Sequence, residues 1–229
     1  MLVRSAPDAG VLRLRLARPD KLNSLTLALT RELLRAIEEA EADDAVRVLL
    51  LCGEGRAFCA GKDRDDPATA EFVEVLQRVA AALMNSPKPV VAAVQGWAVG
   101  AGVELLLNCD IVVAASSAQF KLPEVSAGLF ATGGAAALLP HAIGLAKAKG
   151  VLLLGETFTA QQAEAWGLVW QVVDDAQLDV RALAIATQLA MSDANVLAEI
   201  KRSLHRETFG SLEPVLAREA RVHGRLAKR

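Results

Sequence analysis

Tyrosine is absent from this 229-residue chain and aromatic residues make up only 4% of it. The interior therefore has to be assembled from Ala, Val and Leu, within a hydrophobic fraction of 53%. Cysteine is scarce too. Cys52, Cys59 and Cys109 are odd in number and lack metal-ligand spacing, which argues against a disulfide framework and a Cys-based metal site. They read as small apolar fillers in a reducing cytoplasm. No apolar run reaches the roughly 18 residues of a membrane span. The stretch from Pro89 to Cys109 comes nearest, but Gln95, Glu104, Asn108 and its glycines interrupt it. "MLVRSAPDAG" has no apolar core or cleavage site, so no export signal is expected. His141, His205 and His223 form no triad or metal pattern and no G-x-S-x-G is present, which argues against a Ser or His nucleophile.

Charge is nearly balanced, at a formal −2, but unevenly placed. Residues 200–229 hold Lys201, Arg202, Arg206, Arg218, Arg221, Arg225, Lys228 and Arg229 against three Glu, which leaves the rest near −7. Two readings of this stretch stay open: a solvated helix face or subunit contact, and an attraction for a phosphate-bearing ligand. Nucleic acid is not expected, because the whole chain is acidic and the stretch has few aromatics to stack on bases.

Segment 11–17, "VLRLRLA", alternates apolar and charged residues as a half-exposed strand does. After "RPDKLNS", either Ser24 or Thr26 can cap a helix over "LALTRELLRAIEEAEAD". "VRVLLLCG" (46–53) reads as a buried strand, followed by a glycine-punctuated loop to Pro67 and a helix over about 68–85. A strand "VVAAVQG", a helix "GAGVELLLNC", a strand "DIVVAAS" and a short strand "AQFKLPE" follow. From Gly133 the chain reads as mainly helical apart from "LVWQVVD" (168–174), with Trp166 and Trp170 in the core. Strands alternating with helices predict an α/β core. Without repeats or linkers the chain reads as one domain, with a core over 1–190 and a helical C-terminal region over 191–229.

One charge stands between Lys88 and Asp110: Glu104, two residues after a Gly-Ala-Gly turn that opens a helix. A lone carboxylate in such a run is costly to bury unless something uses it. A helix N-terminus leaves backbone N–H groups unpaired and partly positive. Gly100 and Gly102 let a ligand come close to them; the same glycines could equally serve tight packing. A dinucleotide turn is not matched, since the third glycine of G-x-G-x-x-G is Leu105 here. "GEGRAFCAGKD" (53–63) is another glycine-rich turn, and "FKLPEVSAGL" (120–129) carries a second carboxylate among apolar residues, Glu124. At ~1.5 Å per helical and ~3.3 Å per strand residue, the chain can bring Glu124 back near Glu104.

Five stretches, "RPDKLNSLT", "GRAFCAGKD", "KPVVAAVQGWAVGAGVELLLNCD", "AQFKLPEVSAGL" and "LLLGETFTAQQAEAWGLVWQVVD", fall in the order and at the spacings of the crotonase superfamily, the enoyl-CoA hydratase/isomerase family. Nearly the whole chain resembles it. The resemblance implies a crotonase-like spiral of ββα units with a helical C-terminal portion, acyl-CoA substrates, and a homotrimer or dimer of trimers. It also implies an oxyanion hole made of the backbone N–H groups of Lys62 and Ala101. Glu104 would orient and activate water, and Glu124 would exchange the α-proton. Two carboxyls in an apolar pocket can have their proton affinities pushed apart, leaving one ionised and one protonated. Coenzyme A would run past the "AGKD" loop, with Ala60 and Asp63, towards Lys21 and Leu22. Lys21 and Lys62 read equally as phosphate or adenine contacts and as solvated lysines. Gly100, Pro123 and Phe130 complete the expected substrate-contacting set, although Phe130 also reads as plain core. No metal is implied, and no cofactor beyond the coenzyme A of the substrate.

Three features depart from the family pattern. "LFATGGAAALLP" (129–140) keeps Gly133 and Gly134 but lacks the family's Thr and Arg. Since this segment is expected to start a helix lining the acyl pocket, substrate preference is affected. "RVHGRLAKR" stands where many members carry a further helix near the CoA pocket, so that cover is expected to be shortened or absent. "AWGLVWQVVDD" is nearer to isomerase-type members. The expected reaction is hydration of a trans-2-enoyl-CoA through a thioester enolate. The alternatives are a Δ3,Δ2-enoyl-CoA isomerase working through Glu124 alone, and a non-catalytic binding or scaffold protein acting through the basic C-terminus.

Overall fold

A computed structural model describes residues 1–67 and 69–226. Lys228 and Arg229 of the basic stretch lie outside the described residues. The chain opens with the antiparallel pair β1 (Leu2–Asp8) and β2 (Val11–Leu16), then helix α1 (Leu27–Ala42). Thr26 caps that helix, its side chain accepting from the Leu29 amide. Ser24 is turned instead to the Asp63 carboxylate, 3.1 Å away. Three turns of one strand–strand–helix pattern follow. They are β3 (Val48–Gly53), β4 (Ala57–Cys59) and α2 (Ala70–Asn85); β5 (Val90–Val94), β6 (Trp97–Val99) and α3 (Ala101–Leu107); and β7 (Ile111–Ala115), β8 (Gln119–Lys121) and α4 (Ala135–Ile143). The remainder runs α5 (Leu145–Leu154), β9 (Thr157–Thr159), α6 (Ala160–Trp166), β10 (Gln171–Val173), α7 (Leu178–Ala190), α8 (Ala194–Phe209) and α9 (Glu213–Leu226).

In each turn the first strand joins a six-stranded sheet, ordered β1-β2-β3-β5-β7-β10, and the second a four-stranded sheet, β4-β6-β8-β9. This is the expected α/β architecture, a spiral of ββα units. The central strands of the larger sheet are parallel and buried on both faces, so they read as continuous apolar runs rather than alternating ones. Leu49 and Leu51 of β3 face the cluster built with α1, α2 and α3. Val48, Leu50 and Cys52 pack with Leu178, Ala182 and Ile185 of α7. The sparse aromatics gather beside the smaller sheet: Phe120 stacks on Phe158 at 5.4 Å, and Phe158 lies 5.3 Å from Trp166. Cys52, Cys59 and Cys109 are free thiols, the first two buried in the core. Among the described residues no helix is long and apolar enough to cross a membrane.

Several expectations need correction. The sequence pattern does not reveal β1, β4, β6 or β9. The last three hold only three residues each, too few for a period of two to register. Trp170 is 69% exposed rather than core, because Leu168 and Val169 take the buried places beside it. Lys201 of the basic stretch is buried, its Nζ donating to the Leu83 carbonyl (2.9 Å) and pairing with Asp110 (2.7 Å). Arg218, Arg221 and Arg225 on α9 are exposed.

The second glycine of the Gly-Ala-Gly turn serves packing. A Cβ at Gly102 would stand 2.3 Å from the Cys59 carbonyl oxygen of β4. Gly102→Ala is expected to cost about 2 kcal/mol or more of stability, read calorimetrically as a fall in Tm. An unchanged Tm would show that α3 and β4 are not pressed together in this way.

Candidate active site

The polar groups singled out above converge at the carboxyl ends of the parallel strands β4, β6 and β8, the usual place for ligands in α/β sheets. Lys62 follows β4, Ala101 follows β6 and Glu124 follows β8, and all three line one cavity of about 510 Å³. Glu104 and His223 line it too, with Phe72, Val73 and Leu76 of α2 forming an apolar wall. The 127–132 loop closes it through Leu129, Phe130 and Thr132, so this loop, rather than α4 itself, is the lining expected from that segment.

Two glycine turns bring the ends of β4 and β6 together. Gly61 has φ +83°, and a Cβ there would stand 2.6 Å from the Val99 carbonyl oxygen and 3.5 Å from the Ala101 amide nitrogen. Gly100, at φ +52°, caps α3 in a conformation closed to other residues, and its amide donates to the Lys121 carbonyl at 2.8 Å. Among the described residues, neither the Lys62 N–H nor the Ala101 N–H is taken up by a protein acceptor.

The loop carrying Lys62 is braced from behind. The Ala60 amide donates to the Leu22 carbonyl (2.9 Å), the Leu25 amide to Gly61 (2.7 Å) and the Asp63 amide to Leu25 (2.9 Å). The Asp63 carboxylate accepts from the Asp65 amide (2.9 Å), the Arg18 guanidinium (2.7 Å) and the Ser24 hydroxyl (3.1 Å). The Asp65 amide above all, with Arg18 and Ser24, holds it below the usual carboxylate range. Lys62 Nζ donates to the carbonyls of Asp63 (2.9 Å) and Asp66 (2.5 Å). Ala60, Lys62, Asp63, Gly100, Pro123 and Phe130 line the cavity, whereas Lys21 and Leu22 are not on its wall. Lys21 is exposed and paired with Asp65 at 2.8 Å. The Leu22 carbonyl and the Asp63 carboxylate are both satisfied within the protein and hold the loop.

Glu104 lies in the first turn of α3 and is 3% exposed. Its Oε1 accepts from the amides of Thr132 (2.8 Å) and Gly133 (2.5 Å). Gly133 leaves no room for a side chain, since a Cβ would stand 2.9 Å from Glu104 Cβ. Burial pushes the Glu104 carboxyl up to about 8, reinforced by the charges of Glu219 and Glu124. Glu124 opens a short 3₁₀ turn, Glu124–Ala127, and burial raises its carboxyl as well. Its Oε2 is buried with no hydrogen-bond partner among the described residues. A buried carboxyl oxygen left unpaired is costly, and marks a group held ready for something the protein does not supply.

Two groups on α9, the cavity-lining His223 and the buried Glu219, have no role in the sequence reading. Glu219 on α9 is 1% exposed and accepts from the amides of Gly134 (2.7 Å) and Ala136 (2.9 Å). Burial pushes its carboxyl up to about 7. His223 holds its Nδ1 2.9 Å from the Phe130 carbonyl oxygen, so that nitrogen is the donor. A signal existed. Leu212, Leu216, Glu219 and His223 follow the spacing of one helix face, so Glu219 occupies a place where an apolar residue belongs.

A family model described as enoyl-CoA hydratase/isomerase matches residues 7–229. The 1,2-epoxyphenylacetyl-CoA isomerase of Escherichia coli K12 is 40% identical, over 99% of this chain and 90% of its own length. The 2,3-dehydroadipyl-CoA hydratase of the same organism is 35% identical, over 95% and 87%. Among solved structures, an enoyl-CoA hydratase from Mycobacterium avium subsp. paratuberculosis K-10 superposes with a TM-score of 0.94 at 35% identity, covering 100% of this chain and 94% of that one. By its ββα spiral, its sequence and its similarity along almost the whole length, the chain belongs to the enoyl-CoA hydratase/isomerase family.

Proposed function

We propose that the protein is an enoyl-CoA hydratase, adding water across the C2=C3 bond of a trans-2-enoyl-CoA. One observation carries this reading: two carboxyls, buried Glu104 and half-buried Glu124, share a cavity with two unclaimed amide donors. The thioester carbonyl oxygen accepts from the Lys62 and Ala101 N–H groups. As the enolate forms, these fixed dipoles meet its growing charge without having to reorient. Burial raises both carboxyls, and the scheme needs one of them ionised and the other protonated. Ionised Glu104 takes a proton from water as the water oxygen bonds to C3, and the C2=C3 electrons move onto the thioester oxygen. Protonated Glu124 then delivers its proton to C2 as the carbonyl re-forms. Proton exchange between the two carboxyls restores the starting state. The scheme needs no cofactor beyond the coenzyme A of the substrate.

Lys21, exposed and paired with the cavity-lining Asp65, is the proposed contact for the CoA phosphates. A homotrimer or dimer of trimers belongs to the same proposal, and the exposed apolar side chains Val196, Ile200 and Leu204 on α8 suit such a contact. A second reading, isomerisation of a 3-enoyl-CoA by Glu124 alone, is favoured by one observation: Glu104 is held by two amides while Glu124 Oε2 has no partner.

Mixing the protein with crotonyl-CoA is expected to bleach the conjugated enoyl-thioester absorbance rapidly; binding without bleaching would move the assignment to the isomerase. Glu104→Gln is expected to slow hydration by about 10²–10⁴-fold and to leave 3-enoyl-CoA isomerisation nearly intact. Equal loss of both would overturn the separate roles of the two carboxyls.

A base at Glu104 works only when ionised, so kcat/KM for hydration is expected to climb with pH towards about 8. A profile flat through neutrality would contradict that role. Stability runs the other way. Between the ordinary 4.5 and the raised value of about 8, the folded chain keeps a proton that the unfolded chain has released. Glu104 therefore takes away stability progressively as pH rises through that window. Glu104→Gln still accepts from Thr132 and Gly133 through its amide oxygen. Its Tm is expected to gain on the parent as pH rises, and a difference independent of pH would show that the parent carboxyl titrates at its ordinary value.

A further inference from the structure

The C-terminal helix reaches the site through a carboxyl that the proposed reaction does not use. Thr132 and Gly133 donate their amides to Glu104, and Gly134 and Ala136 donate theirs to Glu219. Four of the five amides of the 132–136 turn are therefore taken by these two carboxyls. Gln77 fastens the turn to α9, its Nε2 donating to the carbonyls of Thr132 (3.0 Å) and Leu216 (2.7 Å). Asn108 Nδ2 ties it to α3, donating to the carbonyls of Gly133 (2.9 Å) and Glu104 (2.7 Å). The other charged or titratable groups around the cavity that Glu104 lines are Glu124, His223 and the 62–66 loop.

We propose that Glu219 is a positioning residue that acts on the reaction through Glu104: it fixes the turn whose amides hold the Glu104 carboxyl, and sets a second negative charge beside it. After burial, the charge of Glu219 is the strongest influence holding the proton on Glu104. The far end of the chain is thereby joined to the acid–base step. If α9 drew away, the turn would loosen and Glu104 would ionise at lower pH. The proposal rests on the reading of Glu104 as a carboxyl whose proton matters, so its test observes that proton directly.

The experiment is a ¹³C NMR titration of the side-chain carboxyls in the whole protein. The Glu104 signal is identified by its loss in Glu104→Gln and the Glu219 signal by its loss in Glu219→Asp. In Glu219→Gln the Glu104 midpoint is expected to fall by about one pH unit, and the climb of kcat/KM with pH is expected to move with it. Glu219→Asp, which keeps the charge, should restore most of the midpoint. A Glu104 midpoint that stays put in Glu219→Gln overturns the proposal and leaves Glu219 as a helix cap only. Should Glu219→Gln not fold, the reciprocal measurement decides, because coupled groups shift each other equally. The Glu219 midpoint must fall in Glu104→Gln, and an unmoved Glu219 rejects the coupling. A moved midpoint in a protein that does not hydrate crotonyl-CoA would sustain the coupling and refute only the assigned reaction.

Discussion

A carboxyl group sealed into an aliphatic interior needs donors that cannot drift away, and Glu104 finds them in the Thr132 and Gly133 amides. Backbone donors have little freedom to turn, so they satisfy the carboxyl and fix its direction together. Much of the nearby sequence follows from this demand. Gly133 has no side chain because Glu104 packs on it. Asn108 holds the Gly133 carbonyl on the other side of the same peptide chain. The next amides need an acceptor of their own, and α9 supplies it as Glu219. Burial makes both carboxyls hold their protons more tightly than exposed glutamates do, against the pull of the amides, and on Glu104 the charge of Glu219 adds to it. The non-catalytic reading would be tested poorly by removing the basic C-terminus, because the same residues carry Glu219 and Leu216 into the interior.

A second constraint is the contact between two glycine turns. Gly61 sits against the Val99 carbonyl with no space for a methyl group, and that contact holds the turn leading to Lys62 against the strand end leading to Ala101. Nothing in the turns themselves would keep them there. The bracing comes from behind, where Arg18, Ser24 and the Asp65 amide converge on Asp63. A buried carboxylate with three donors is a stiff support. It braces a loop rich in charge on the wall of the cavity.

The central strands β3, β5 and β7 of the larger sheet were legible because they are buried on both faces and write themselves as unbroken apolar runs. Most of the short strands were not, since β4, β6 and β9 each hold three residues and carry no readable period. The site was nonetheless legible at their ends. Paired glycines and a carboxylate among aliphatic residues are chemical anomalies that need no periodicity to be noticed. Glu219 was hidden for the opposite reason: in a stretch crowded with charges, one more Glu is no anomaly until the helix face it occupies is drawn. The bracing of Asp63 was not legible because Arg18 and Ser24 lie about 40 residues before it, and partnership over that distance is a property of the fold.

The strand ladder has a metrical consequence. Lys62, Ala101 and Glu124 each follow one rung of the smaller sheet, in the order β4, β6, β8. Hydrogen-bonded strands lie about 4.8 Å apart, so the strand ends that lead to the two donors and the carboxyl succeed one another across the sheet at a pitch fixed by backbone geometry. The sheet is in this sense a ruler with chemistry written at its marks. Altering what stands at one mark, Glu124 for instance, leaves the spacing of the other two untouched.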